Sequence, residues 1–470
     1  MNTIQALILA AGMSSRFGPE LNKLTTPLCG KPLVMHCVTM LKQQNSMPIT
    51  IIVGHQKELI MNAVDAYALA DISYALQETQ SGTGHAVMCS RALWHADHML
   101  ILNGDMPLVS QTVIQELCTA HLQTDAAVSF VTALPDTLTH AYGRILDDEQ
   151  GVRIVEAKDF TGDISYLYPI NAGIYIFKRT FLEEMIDTLT TNNASHELYL
   201  TDLIACASKS GLRVTTINVP FDMVRGINTR EEWCIAQEIK RKQIITYWMQ
   251  QGVMITLPET VHIDDTVTIG RNVHIHAGVH LLGNTTVGNH CTINPYSIIE
   301  SSNIEDHCTI YDHSHISNSY LETHSAVGPF AHVRNYTHLE PYAQIGNFVE
   351  VKQSRIGAHT KAKHLSYLGN TTTGKQVNIG AGTITCNYDG THKHATIIDD
   401  NVFIGSNNTL IAPIHIGESA YTAAGSTITE DVPSCALAIG RTRQVNKMEY
   451  AQKLRNKIIT TPSSTPLAEK

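Results

Sequence analysis

Residues 261–299 read VHIDDTVTIGRNVHIHAGVHLLGNTTVGNHCTINPYSII, and their period decides the fold of the second half of the chain. Ile263, Ile269, Ile275, Leu281, Val287, Ile293 and Ile299 form one unbroken column at every sixth residue. Val261, Val267, Val273 and Val279 form a second column two residues earlier. A six-residue period fits neither the 3.6 of a helix nor the simple alternation of an amphipathic strand. It fits a parallel β-helix, whose short strands turn corners and send one apolar residue per face into a shared core.

The column continues outward. It slips by one residue to Ile304, Ile310 and Ile316, slips again to run from Leu321 through Val327, Val333, Leu339 and Ile345 to Val351, and returns between Ile398 and Ile428. Between about residues 357 and 397 it is disturbed. Interruptions of a solenoid map to loops on one face, often the binding face, so chemistry is expected there. Upstream, residues 230–250 contain no Gly or Pro and set Trp233, Ala236 and Ile239 at helical spacing, which predicts a long connecting helix.

The first 229 residues are written differently. Runs such as Ala6–Leu9, Ile49–Val53, Met99–Leu102 and Ala127–Val131 are strand-length, and several are apolar on both faces, as parallel strands covered by helices are. Helical spacing fills 32–44 and 112–124. The expected fold is therefore an α/β domain, Rossmann-like with a mostly parallel sheet, followed by a parallel β-helix of hexapeptide repeats. The expected domains are 1–229, a linker helix 230–250, a β-helix 251–446 and a tail 447–470, partly disordered from about 456.

Composition narrows the partners. A net charge of -10 argues against nucleic acid or an anionic membrane as a bulk partner, and an anionic small substrate would need local basic clusters. The ten scattered cysteines contain no CxxC pair and read as reduced thiols. The apolar stretch from Ala6 to Ala11 is too short to span a bilayer, and the opening residues lack a basic signal-peptide region. A cytoplasmic protein without a membrane span is expected.

Two motif sets carry chemistry. The first strand runs into Leu9-Ala10-Ala11-Gly12, with Arg16 and Lys23 beyond it. Small residues after a buried strand admit a phosphate chain to backbone N–H groups, and the two cations can neutralise it. Such a turn is equally a tight connection. Neither GxxxxGK[ST] nor GxGxxG occurs there. Asn103-Gly104-Asp105 ends another strand in a lone carboxylate, which suits Mg²⁺ or simply caps a turn. In the disturbed stretch lies His364, one of 24 histidines, with Arg334, Lys352, Lys361 and Lys363 near it in sequence. That group reads either as a general base beside a receptor for an anionic sugar or as a solvated edge.

LAAG-x3-R-x6-K followed by L-x-GD-x-PL resembles the sugar-nucleotide pyrophosphorylases, and more narrowly the uridyltransferase domain of the bifunctional GlmU family. Gln77, Gly82-Thr83-Gly84-His85, Tyr142-Gly143-Arg144, Ile154-Val155-Glu156, Asn171 and Gly226-Ile227-Asn228 follow in the family's order. The resemblance implies that Leu9, Ala10, Ala11, Gly12, Asn103 and Gly104 line the nucleotide-sugar site. It implies uracil contacts for Gln77, Gly82 and Thr83, and sugar contacts for Gly143, Glu156 and Asn171. Asp105 and Asn228 would ligate Mg²⁺, with Arg16 and Lys23 on the phosphates.

Residues 251–445 resemble the same family's acetyltransferase domain, a left-handed β-helix, through Gly346–Lys352, the His364 run, Asn378–Thr383, Cys386–Gly390, Ile404–Ser406 and Ile439–Arg441. There His364 would be the general base, oriented by Glu350. Arg334, Lys352, Tyr367, Asn378 and Lys393 would bind glucosamine 1-phosphate. Ala381, Asn387, Tyr388, Ser406, Ala424 and Arg441 would contact acetyl-CoA. UTP is the other implied co-substrate, and a homotrimer along the β-helix the implied assembly. Ser14, Asn22, Asn103 and Asn370 depart from the family's usual residues. The competing readings are a nucleotidyltransferase with a purely structural β-helix, and a non-enzymatic scaffold.

Overall fold

The computed structural model describes residues 3–13, 16–18, 21–43, 47–135, 142–149 and 151–459. Ser14 lies outside them. The chain forms two compact units, one running to Asn289 and including Ile298–Ser301, the other comprising His290–Ser297 and Ser302 onward.

In the first unit the strands order as Val214–Pro220, Val128–Leu134, Ile170–Lys178, His98–Asn103, Ile4–Ala10, Ile49–Val53 and Ile72–Leu76. Only Ile170–Lys178 runs antiparallel to its neighbours on this path. Alternation explains why these strands are apolar throughout. Ile8 and Leu100 face one core with the helices Leu33–Lys42 and Gln111–Thr124, while Leu7 and Ile101 face another with Asp202–Lys209. The central strand Ile4–Ala10 has parallel partners on both sides. The order reverses there, which opens a crevice beyond Ala10 and Asn103.

The helix Arg230–Gln250 follows, opened by a capping box in which Thr229 Oγ1 accepts from Glu232 N at 3.1 Å. Asp265, on the first coil after it, meets Lys31 Nζ at 2.6 Å and Lys240 Nζ at 3.4 Å. Those ion pairs tie that coil to the short hairpin Pro27–Pro32 and to the connecting helix, and the first unit extends past the change of sequence period.

From Met254 to Ala438 every strand is short and lies in one of three parallel sheets of 11, 10 and 9 strands. In the second unit the column residues stack on each other, with Ile310 paired to Val327, Ile316 to Val333 and Leu321 to Leu339. All six are fully buried. Corners are turned by residues of left-handed φ, and the rings at one corner form a continuous pile. His290, His307, His324, Tyr342 and His359 stack with centroids 4.6–4.9 Å apart.

The disturbance expected over 357–397 is smaller than the sequence indicates. Ala362, Leu368, Thr373, Ile379 and Thr385 occupy the inward positions and are buried. Thr373 and Thr385 break the apolar column without breaking the coil, because their hydroxyls accept from Gly357 N and Gly369 N, both at 2.9 Å. Only the segment between Cys386 and Thr396 leaves the coil. Of the stretch from about 456 expected to be disordered, residues 456–459 are helical, within Tyr450–Ile459, which carries no Gly or Pro. Residues 460–470 lie outside the described residues. No helix among the described residues is long and apolar enough to cross a membrane.

Candidate active sites

The crevice of the first unit holds two adjoining cavities of about 420 and 230 Å³, which share Leu9, Arg16, Thr83, Asn103, Asp105 and Asn228. Ala10, Ala11, Gly12, Lys23, Gln77 and Gly82 line the larger. Gly143, Glu156 and Asn171 line the smaller. Nothing lies within 4 Å of a side chain built on Gly12, so a ligand can approach this backbone closely. Gly82 has φ +106, and a side chain there would run into the Leu198 backbone. Gln77 is buried, and its Nε2 donates to Gly82 O at 3.1 Å. Gly104 forms the turn rather than a wall, its N–H donating to Leu9 O at 2.9 Å.

Arg16 and Asp105 lie in the wall common to both cavities, and Lys23 reaches it from the larger one. Lys23 Nζ lies 2.6 Å from Asp105 Oδ2 and donates to Asn228 Oδ1 at 3.3 Å, while Arg16 Nη2 donates to the same amide oxygen at 3.1 Å. Local structure fixes each member. Asn22 caps the short turn bearing Lys23, its Oδ1 accepting from Leu24 N at 2.9 Å. The departure from the family's residue at 22 thus keeps a turn-forming function. Glu232 Oε2 accepts from Asn228 N at 2.6 Å, so the helix cap also sets the chain before it.

No group of three or more His, Cys, Asp or Glu side chains among the described residues could hold a metal ion. The fit to a hard cation rests on Asp105 and Asn228 instead. Two oxygen donors already converge on one cation, the Lys23 ammonium, and this donor chemistry suits a divalent ion that keeps water and phosphate for its remaining positions.

In the smaller cavity burial raises the Glu156 carboxyl above the usual carboxylate range, although Thr201 Oγ1 donates to it at 2.9 Å. Asn171 sits where the strand register shifts. Its Nδ2 donates to Tyr175 OH at 2.6 Å and its Oδ1 accepts from Gly173 N at 3.0 Å. One N–H and one lone pair remain for a ligand. Tyr175 and Thr201 were not identified from sequence, because they belong to no motif and reach the cavity only through this bulge and the following helix.

The second unit carries the other site along one corner. Asn347, His364, Ala381, Ser406 and Ala424 each precede the corner residue of successive coils. Backbone bonds stack them: Leu365 N to Asn347 O at 3.0 Å, Gly382 N to His364 O at 3.4 Å, Asn407 N to Ala381 O at 2.6 Å and Gly425 N to Ser406 O at 2.8 Å. His364 is exposed, and its ring is followed along the ridge by three small residues. A side chain added at Gly380 or Gly405 would strike the next coil, so these coils stack at the closest approach.

The orienting role expected for Glu350 is corrected. The corner at Phe348 turns Glu350 onto another sheet, where it pairs in register with His332 and Tyr367. Its Oε1 accepts from Arg334 Nε at 3.0 Å. The partner of His364 Nδ1 is Asn347 Oδ1 at 2.9 Å. Arg334 and Lys352 are register partners on adjacent coils. Asn378 pairs with Lys361. Beyond them Asn387 Nδ2 donates to Asn370 Oδ1 at 2.7 Å, and Lys393 Nζ sits 4.0 Å from the Tyr388 ring centroid. Arg441 is exposed after the last strand.

Comparison with known proteins matches the model of the MobA-like NTP transferase domain to residues 6–146 and that of the GMPPB C-terminal domain to residues 250–366. The chain is 41% identical to the bifunctional protein GlmU of Geobacillus thermodenitrificans over 96% of its own length and 98% of that protein. It is 40% identical to the GlmU of Pelobacter propionicus, over 97% and 100% of the two chains. With the GlmU of Geobacter sulfurreducens it shares 42% identity over 95% and 98%.

Proposed function

The chain belongs to the bifunctional GlmU family, and from that premise we propose the chemistry of its two sites. It acetylates glucosamine 1-phosphate from acetyl-CoA, then couples the product to UTP with release of pyrophosphate, giving UDP-N-acetylglucosamine. The observation that carries this reading is the wall common to the two cavities, where Arg16, Lys23, Asp105 and Asn228 meet.

In the first unit, the uracil and ribose belong in the larger cavity beside Gln77 and Gly82, and the acetylated sugar in the smaller beside Gly143, Glu156 and Asn171. The phosphates then meet at the shared wall. A sugar-phosphate oxygen attacks the α-phosphorus and pyrophosphate leaves. Arg16 and Lys23 hold and neutralise the phosphates, so positioning and electrostatics supply most of the rate. Mg²⁺, held by Asp105 and Asn228, would add charge neutralisation across the triphosphate.

In the second unit, the glucosamine amine attacks the thioester carbonyl of acetyl-CoA. His364 Nε2 takes the amine proton and coenzyme A leaves as the thiol. Lys352, and Arg334 as held by Glu350, receive the sugar phosphate with Tyr367, Asn378 and Lys393. The small ridge Ala381, Ser406 and Ala424 lets acetyl-CoA lie against the backbone in line with His364, alongside Asn387, Tyr388 and Arg441. A β-helix of purely structural use has no need of this alignment, which disfavours the monofunctional reading.

This reading assigns 1–229 to uridylyl transfer, 230–250 to the linker helix and 251–446 to acetyl transfer, with a tail from 447. It includes a homotrimer through the β-helix and a cytoplasmic location, where UTP and acetyl-CoA are available. None of the ten cysteines forms a disulfide, which fits the reducing compartment this reading assigns.

The test is product analysis by mass spectrometry with glucosamine 1-phosphate, acetyl-CoA, UTP and Mg²⁺. UDP-N-acetylglucosamine should form and vanish when acetyl-CoA is omitted. His364→Ala should abolish acetyl transfer alone, and Asp105→Ala uridylyl transfer alone. Equal loss of both activities in either variant would break the two-site reading.

A further inference from the structure

We infer that Asn347 is the positioning residue of the acetyl-transfer site: it fixes the His364 tautomer that leaves Nε2 free to take the amine proton. The inference rests on His364 being the general base, and extends that reading to a residue one coil away.

The geometry begins with the backbone. A side chain at Gly346 would overlap the Lys363 backbone, so only glycine lets these two coils approach as they do. The close approach brings the next residues into register, with Asn347 paired to His364 and Asn347 O accepting from Leu365 N at 3.0 Å. The Asn347 side chain is thereby held under the imidazole, and its Oδ1 lies 2.9 Å from His364 Nδ1. The other end of the residue is anchored too, since Ser366 Oγ donates to His364 O at 2.9 Å.

An amide oxygen only accepts. Facing Nδ1, it requires the proton on that nitrogen, which leaves the lone pair on Nε2. A free imidazole divides between its two tautomers, and only one of them presents a basic Nε2. Asn347 therefore selects the reactive form and fixes the ring plane. It does this without a negative charge, so it favours the imidazolium less than a carboxylate would. That distinction matters because the charged groups flanking His364 on its own strand are Lys361 and Lys363, and Lys361 pairs with Gln344 and Asn378 on the neighbouring coils. Glu350, the nearest carboxylate in sequence, is engaged by Arg334. The chain thus sets its base with a neutral acceptor.

The experiment compares Asn347→Leu and Asn347→Asp with the unaltered protein. It measures kcat and KM of acetyl transfer against pH, and the uridylyl rate of the same preparations. Asn347→Leu should lower acetyl-transfer kcat about tenfold or more, within the roughly 10²–10⁴ that a general base supplies. KM for glucosamine 1-phosphate and the uridylyl rate should stay as they were. Asn347→Asp restores an acceptor for Nδ1 and adds charge. It should recover most of the loss at high pH, with the acidic limb of kcat/KM displaced upward. An unchanged kcat in Asn347→Leu, or an Asp variant as slow as the Leu variant at every pH, overturns the assignment to Asn347. Retained acetyl transfer in His364→Ala would overturn the base itself, and the inference with it, so the two failures are distinguishable.

Discussion

Replacing Lys23 by methionine should make metal binding stronger while making uridylyl transfer weaker. The ammonium sits 2.6 Å from Asp105 Oδ2 and 3.3 Å from Asn228 Oδ1, the two oxygens proposed to hold the metal. The side chains of Lys23 and Asp105 are only 12% and 17% exposed, so solvent screens the pair weakly. A divalent ion must first displace this ammonium. Hydrogen bonds to charged groups are worth about 1.5–3 kcal/mol net. Removing the competitor should therefore tighten Mg²⁺ binding about 10- to 100-fold, at ~1.4 kcal/mol per decade. Isothermal titration of the purified protein with Mg²⁺ alone, without nucleotide, reads this directly. The uridylyl kcat should fall in the same variant, because the phosphates lose a cation. An affinity for Mg²⁺ that is unchanged or weaker in Lys23→Met would refute the reasoning, since Lys23 would then not be competing for those oxygens.

Two further perturbations test other parts of the fold. Thr229→Ala removes the cap of the connecting helix at a cost of about 1 kcal/mol and loosens Glu232, whose carboxylate also holds Asn228 N. Uridylyl transfer should drop several-fold with acetyl transfer unaffected; a full uridylyl rate beside a lowered melting temperature would show that the cap does not position Asn228. His121 is fully buried against His98 and Ser129, and burial pushes its pKa down to about 4. A depressed histidine contributes stability that is complete above the unfolded value near 6.5 and is lost as pH falls toward 4. The loss is about 3 kcal/mol at ~1.36 kcal/mol per unit. Denaturant midpoints between pH 7.5 and 4.5 should decline more steeply in the unaltered protein than in His121→Gln, and parallel slopes would refute the assignment.

The architecture was legible wherever one residue type repeats for one physical reason. Ile263, Ile275 and Leu281 are apolar because each points into the same core, and each is fully buried. The reading failed at Thr373 and Thr385, where a hydroxyl bonded to the neighbouring coil does the work of an aliphatic side chain and no periodicity marks it. Around the sites, motif residues such as Arg16, Asp105 and Asn228 arrived together as the resemblance implied. Side-chain partners did not follow. Whether Glu350 or Asn347 meets His364 depends on which side of the corner at Phe348 each falls, and a one-residue change of φ sign is invisible in composition. Thr201 and Tyr175 reach the smaller cavity through tertiary packing alone.

The pile of rings from His290 to His359 bears on how such a chain can change in length. Each ring rests on the one a full coil earlier, so the pile works as a ruler with one mark per turn of the solenoid. A genetic insertion or deletion of a whole coil moves every later ring by one mark and leaves the pile continuous. A change of two or three residues puts every later ring out of phase at once, exposing column residues that had faced inward. Apart from one-residue slips such as those at Ile304 and Leu321, length in this half of the protein is therefore quantised: related chains should differ by complete coils or by excursions confined to a corner, like the one between Cys386 and Thr396 that carries Tyr388 and Lys393.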